Sequence, residues 1–144
     1  MTAAWVLLTA LPPTQGHLNL IRFAASLDPH GTVNVLVCTQ PDEPWRAERV
    51  RAVEHAIDFE LRRRVQVLHY AERVQQVPRD GGDTAFWVMW TGILRDRGLT
   101  DGDYLVASES YGIELARHSG ARFIPYDFER TRAMEPETAA EFVS

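Results

Sequence analysis

Five short apolar runs separated by four segments of helical spacing leave this chain few ways to fold. "AWVLLTA" (Ala4–Ala10), "TVNVLVC" (Thr32–Cys38), "VQVLHY" (Val65–Tyr70), "DYLVAS" (Asp103–Ser108) and "ARFIPY" (Ala121–Tyr126) read as strands, the first two being almost continuously apolar. Such runs fit strands covered on both faces. Between them, Gly16–Leu27 carries Leu18, Leu20, Ile21, Ala24 and Ala25 as an apolar stripe, stopped by Asp28-Pro29-His30-Gly31. Glu43–Arg63 is charge-rich but sets Val50, Val53, Ile57 and Leu61 on one face. Helices over about Thr84–Arg97 and over Tyr111–Ser119 complete the alternation.

A β–α alternation of this kind predicts a parallel sheet with helices on both faces, joined by right-handed crossovers. The expected fold is α/β, a Rossmann-like three-layer α/β/α domain with a five-stranded parallel sheet. It would span residues 1–130, with 131–144 as a polar tail and a short helix after Pro136. Ligands bind such sheets at the carboxyl ends of the strands. That places the segments after Ala10, Thr39, Tyr70, Ala107 and Tyr126 on one functional rim.

A net charge of −5 argues against a nucleic-acid surface or an anionic membrane as partner. It leaves room for a local anion site, which needs only a few donors. No apolar run approaches the ~18 residues of a membrane span. The start, "MTAAWVLLTA", lacks a basic n-region and reads as a strand and not a signal peptide. Cys38 is the one cysteine, which fits a reducing compartment, so a cytoplasmic protein is expected; Cys38 itself reads as a small core or strand-end residue.

The stretch "TALPPTQGHLNLI" (Thr9–Ile21) leaves the first strand through Pro12-Pro13 and opens the first helix with Gly16 and His17. Gly16 lets backbone approach a ligand without a Cβ, and the unpaired N–H groups of a first turn suit phosphate oxygens. His17 adds a side-chain donor on the same side, and Thr14 offers a hydroxyl for the cap or the ligand. On spacing alone, a capped helix with a nearby His is the simpler reading.

"PPTQGHLNLI" resembles the His/Thr-x-Gly-His signature of the nucleotidylyltransferase superfamily, with Thr14, Gly16 and His17 at the three motif positions. "SESYGIELARHSGARFIPYDFERTR" is similar to the Ser-Glu-x-Tyr-Gly, helix, strand, Asp-x-x-Arg segment of nicotinamide-nucleotide adenylyltransferases. "DTAFWVMWTGIL" looks like their Trp-containing helix. The nearest branch is the adenylyltransferase domain of bifunctional NAD-biosynthesis regulators and its phage relatives, and the resemblance covers residues 4 to about 132.

The resemblance implies transfer of AMP from ATP to nicotinamide mononucleotide, giving NAD and pyrophosphate. The nucleophilic phosphate is already anionic, so no general base is required, and Mg²⁺ is held mainly by phosphates with no protein metal site. His17 and Thr14 would be catalytic. Leu11, Pro12, Gly16, Ser108, Glu109, Tyr111, Arg130 and Arg132 would meet ATP; Thr39 and one of Trp87 and Trp90 would meet the mononucleotide, the indole stacking on nicotinamide. The plain alternatives stay open: Ser108 as a helix cap, both indoles as core, Arg130 and Arg132 as solvated side chains. Arg46, Arg49 and Arg51 read as surface, with Arg49 the foremost exception. Relatives often assemble, so a homo-oligomer is among the expected partners.

The family's Ile-Ser-x-Thr-x-x-Arg motif has no clear counterpart in "AMEPETAAEFVS", where Thr138 is the one partial match. The expectation is therefore a chain truncated before a second ATP motif, or a chain without that clamp. Nucleotide binding then becomes safer than turnover. The alternatives are a catalytically weak NAD or mononucleotide sensor, and a transferase of the same fold with another phosphate-bearing substrate.

Overall fold

The computed structural model describes residues 2–8, 14–39, 42–71, 83–107 and 111–126. Ten elements follow in order: β1 Ala4–Leu8, α1 Gln15–Ser26, β2 Val33–Cys38, α2 Arg46–Ala56, a 3₁₀ turn Phe59–Leu61, β3 Val65–Tyr70, α3 Thr84–Asp96, β4 Tyr104–Ala107, α4 Tyr111–Ser119 and β5 Arg122–Pro125. The five strands form one sheet in the order β3-β2-β1-β4-β5. Every pairing is parallel, with Ala4 opposite both Val33 and Tyr104, Val33 opposite Val65, and Tyr104 opposite Arg122. This is the Rossmann-like α/β fold expected from the alternation. β1 lies at the centre, and the order reverses between β1 and β4.

Period-two alternation divides the strand side chains between two cores. Ala4, Val6, Leu8, Val33, Val35 and Val37 pack with Leu20, Ile21, Phe23 and Ala24 of α1 and Val53 of α2. On the other face, Trp5, Leu36, Cys38 and Leu105 pack with Phe86, Trp87, Trp90, Ile93 and Leu94 of α3 and with Leu115 and Ala116 of α4. Each fully buried Val, Leu or Phe contributes about 1.5–3 kcal/mol, so the two layers together dominate stability. Gly112 permits close docking of α4, because a Cβ there would lie 2.5 Å from Phe123 Cε1 and 3.1 Å from Ala107 Cβ.

One predicted boundary is corrected. The helix expected over Glu43–Arg63 ends at Ala56, and the backbone becomes extended at Ile57 (φ −68°, ψ 136°). Asp58 holds it there: Arg22 of α1 donates to both its carboxylate oxygens, Nε at 2.6 Å and Nη2 at 2.8 Å. The break lets Ile57 and Leu61 reach the α1-side core while the chain turns toward β3. Apolar spacing cannot reveal this, since the anchoring partner lies 36 residues away.

Among the described residues, no helix is long and apolar enough to cross a membrane.

Candidate functional site

The amino end of α1 stands over the carboxyl end of β1, next to the reversal of strand order. Thr14 is extended (φ −109°, ψ 169°) and caps α1 in a reciprocal box. The His17 N–H donates to Thr14 Oγ1 at 3.3 Å, and the Thr14 N–H donates to His17 Nδ1 at 3.0 Å. An imidazole replaces the usual Glu or Gln of a capping box.

This arrangement fixes the ring chemistry. A nitrogen that accepts a backbone N–H carries no proton, so in the neutral ring the proton sits on Nε2. Burial lowers the His17 pKa from its ordinary value, favouring that neutral form. The outcome is a half-buried imidazole with Nε2–H as its remaining donor. Beside it Gly16 is exposed, and a Cβ there would meet only Thr14 Oγ1 at 3.6 Å, an ordinary contact. Packing thus gives no reason for glycine at this position.

The carboxyl ends of β2 and β3 hold a second group of polar residues. Thr39 is buried, its N–H donates to Tyr70 O at 2.9 Å, and its Oγ1 lies 2.8 Å from His69 Nε2. Desolvation, and then the positive charge of Arg46, lower the His69 pKa. Thr39 therefore sits on the expected rim, but its hydroxyl is engaged by His69. The His69 contact was not read from the sequence; its signal was a titratable residue near the carboxyl end of β3.

Arg49 is the most unusual charge in the structure. It projects from α2 yet is only 3% exposed. Its Nε, Nη1 and Nη2 have no hydrogen-bond partner, and the Glu43 carboxylate approaches Nη2 only to 3.5 Å. A buried guanidinium normally saturates its five donors. Here the fork is ion-paired with Glu43 alone and its N–H groups make no hydrogen bond.

The two indoles of α3 lie in the core, one of the two settings that the sequence left open for them. Trp87 is 8% and Trp90 4% exposed, within the α3–α4 core. Trp87 meets Phe86 edge-on at 4.8 Å and lies parallel to His118 at 6.1 Å, while Trp90 packs against Tyr70 at 6.2 Å. Phe86, Trp87, Trp90, Ile93 and Leu94 form the inward stripe of α3, which accounts for their burial. Asp83 starts this helix by accepting the Phe86 N–H at 3.2 Å.

Tyr111 begins α4. Leu11, Pro12, Ser108, Glu109, Arg130 and Arg132 lie outside the described residues, as does the 131–144 tail. Among the described residues, no group of three or more His, Cys, Asp and Glu side chains is placed to hold a metal ion. Cys38 is buried and its thiol is pushed up to about 12 by desolvation, which makes it a core residue.

No protein-family model matches the chain, and no curated protein matches it. The fold and its rim thus define the molecule as a Rossmann-like α/β domain with two donors that make no hydrogen bond, Nε2–H of His17 and the Arg49 guanidinium, toward the carboxyl ends of its strands.

Proposed function

We propose that this domain binds nucleotides and transfers AMP from ATP to nicotinamide mononucleotide, forming NAD and pyrophosphate. The observation that carries the reading is the reciprocal bond between Thr14 and His17, which leaves a neutral imidazole with Nε2–H as donor at the amino end of α1. Exposed Gly16 and the first-turn N–H groups would receive ATP phosphate oxygens beside it. Arg49 would receive the mononucleotide phosphate, which supplies the acceptors its guanidinium lacks.

The reaction needs alignment and charge stabilisation. An oxygen of the mononucleotide 5′-phosphate attacks the α-phosphorus of ATP and a new P–O bond forms. The bond from that phosphorus to the α,β-bridging oxygen breaks, and pyrophosphate departs with the electron pair. His17 Nε2–H would donate to the oxygens on which charge accumulates and keep its proton throughout. Mg²⁺, carried mainly by the phosphates, would neutralise the same charge.

The assay mixes the chain with ATP, nicotinamide mononucleotide and Mg²⁺ and measures NAD. The expected result is NAD formation that falls about a hundredfold in His17→Ala, the loss typical of one preorganised donor. No product above the His17→Ala level overturns the transferase reading. Calorimetry with each nucleotide then shows whether the domain is a sensor that binds without turnover.

A further inference from the structure

Both α3 indoles are built into the core, and α2 offers an exposed aromatic of a different kind. Trp45 precedes the first turn of α2 with φ 53° and ψ 41°, the one left-handed non-glycine residue described. A bulky side chain is disfavoured in that region, and such outliers concentrate at functional sites. Trp45 makes no side-chain capping bond, and its indole is 66% exposed. Its carbonyl accepts the Arg49 N–H at 2.9 Å, so the exposed indole on its strained backbone and the buried guanidinium, ion-paired with Glu43 but without a hydrogen bond, lie one helical turn apart along the chain.

We infer that Trp45 is a specificity residue: it stacks on the planar ring of a mononucleotide whose phosphate is held by Arg49. This rests on the nucleotide-binding reading above and deepens it by naming the group that recognises the ring. Four residues of helix rise about 6 Å, comparable to the span of a ribose between its phosphate and its base. An indole face favours an electron-poor or cationic ring, so the ligand class is a mononucleotide carrying a cationic aromatic heterocycle. Trp87 and Trp90 then serve the fold, and Trp45 serves the ligand.

The test compares nicotinamide mononucleotide with ribose 5-phosphate, which has the phosphate without the ring, by calorimetry on the full chain. Trp45→Ala is expected to weaken the mononucleotide about tenfold and ribose 5-phosphate by less than about twofold, with Trp45→Phe recovering most of the difference. Trp45→Gly is expected to raise the thermal midpoint while losing the same ring preference, a combination that a purely structural role does not produce. Equal weakening of both ligands, or an unchanged mononucleotide affinity, overturns the inference. Arg49→Met separates this from failure of the underlying site. If it weakens both ligands while Trp45→Ala changes neither, only the stacking role falls. If wild type binds neither ligand, or Arg49→Met changes nothing, the phosphate site falls and the stacking role falls with it.

Discussion

The two ends of the sheet treat polar groups in opposite ways. At the amino ends of the strands, hydrogen-bonding capacity is spent on the fold. Asp103 accepts the Trp5 indole N–H at 3.2 Å, the Ala3 N–H at 3.3 Å and the Thr100 N–H at 3.0 Å. Arg64 donates to the carbonyls of Ala25, Asp28 and Gly31, holding the carboxyl end of α1. Asp28 accepts from the backbone of Thr2 and His30. At the carboxyl ends, Arg49 is buried with an ion pair to Glu43 but no hydrogen bond, Trp45 holds a disfavoured backbone conformation, and Gly16 is exposed without a packing reason. One end closes the fold on itself, and the other keeps unsatisfied groups in fixed positions. A groove of about 290 Å³ between α2 and β3, lined by Glu54, His55, Ile57, Arg62, Val65 and Val67, belongs to the amino end and contains neither His17 nor Arg49.

Stability measurements can break this contrast. The largest effect is expected for Asp103→Ala, which strands two backbone N–H groups and a buried indole N–H. A loss of about 3 kcal/mol, or roughly 10 °C in Tm, follows from unmade buried bonds, and thermal denaturation reads it directly. Arg64→Ala should cost about 2 kcal/mol in urea unfolding, because three carbonyls lose a charged donor. Arg49→Met should reverse the sign: removing a buried, poorly paired charge leaves stability unchanged or raises it by about 1 kcal/mol, while phosphate-bearing ligands bind more weakly. A large destabilisation by Arg49→Met would erase the contrast between the two ends.

Acidification gives a smaller, two-stage effect. The His17 and His69 pKa values are lowered in the fold by desolvation, so the unfolded chain binds protons first. Their contribution is complete above about pH 6.5 and declines as pH falls toward the folded values. Asp58, lowered by the Arg22 hydrogen bonds, and Asp28, lowered by the His30 N–H, contribute fully above about pH 4 and lose that contribution in stronger acid. Urea midpoints across this range should show both declines. His17→Gln should flatten the upper one in part, leaving the His69 share. Smallest is the effect of thiol reagents: Cys38, buried and held as the thiol, should resist alkylation at pH 8 until the chain is unfolded.

Much of the architecture was legible because burial writes itself into short apolar runs. "AWVLLTA" and "TVNVLVC" announced central strands, and the residues of α4 matched the predicted bounds. The break after Ala56 was not legible, because a distant Arg22–Asp58 contact sets it. Spacing alone showed Thr14, Gly16 and His17 as a capped helix start, the resemblance singled them out as a site, and the reciprocal cap that fixes the imidazole proton required geometry. The α3 stripe could have placed Trp87 and Trp90 in the core, since they share it with Phe86, Ile93 and Leu94. Nothing local identified Trp45, whose distinction is a backbone angle.

Placing β1 at the centre also governs the order in which the molecule can be completed. The Trp5–Asp103 bond joins residues 98 positions apart, and β1 meets β4 through Ala4 and Trp5. During synthesis the first strand can acquire β2 early, but its other edge stays open until the chain beyond Asp103 has emerged. That interval is when the nascent molecule is most exposed to strand pairing with a neighbour. It closes when the first and fourth strands meet, and the Asp103 carboxylate then ties the two together.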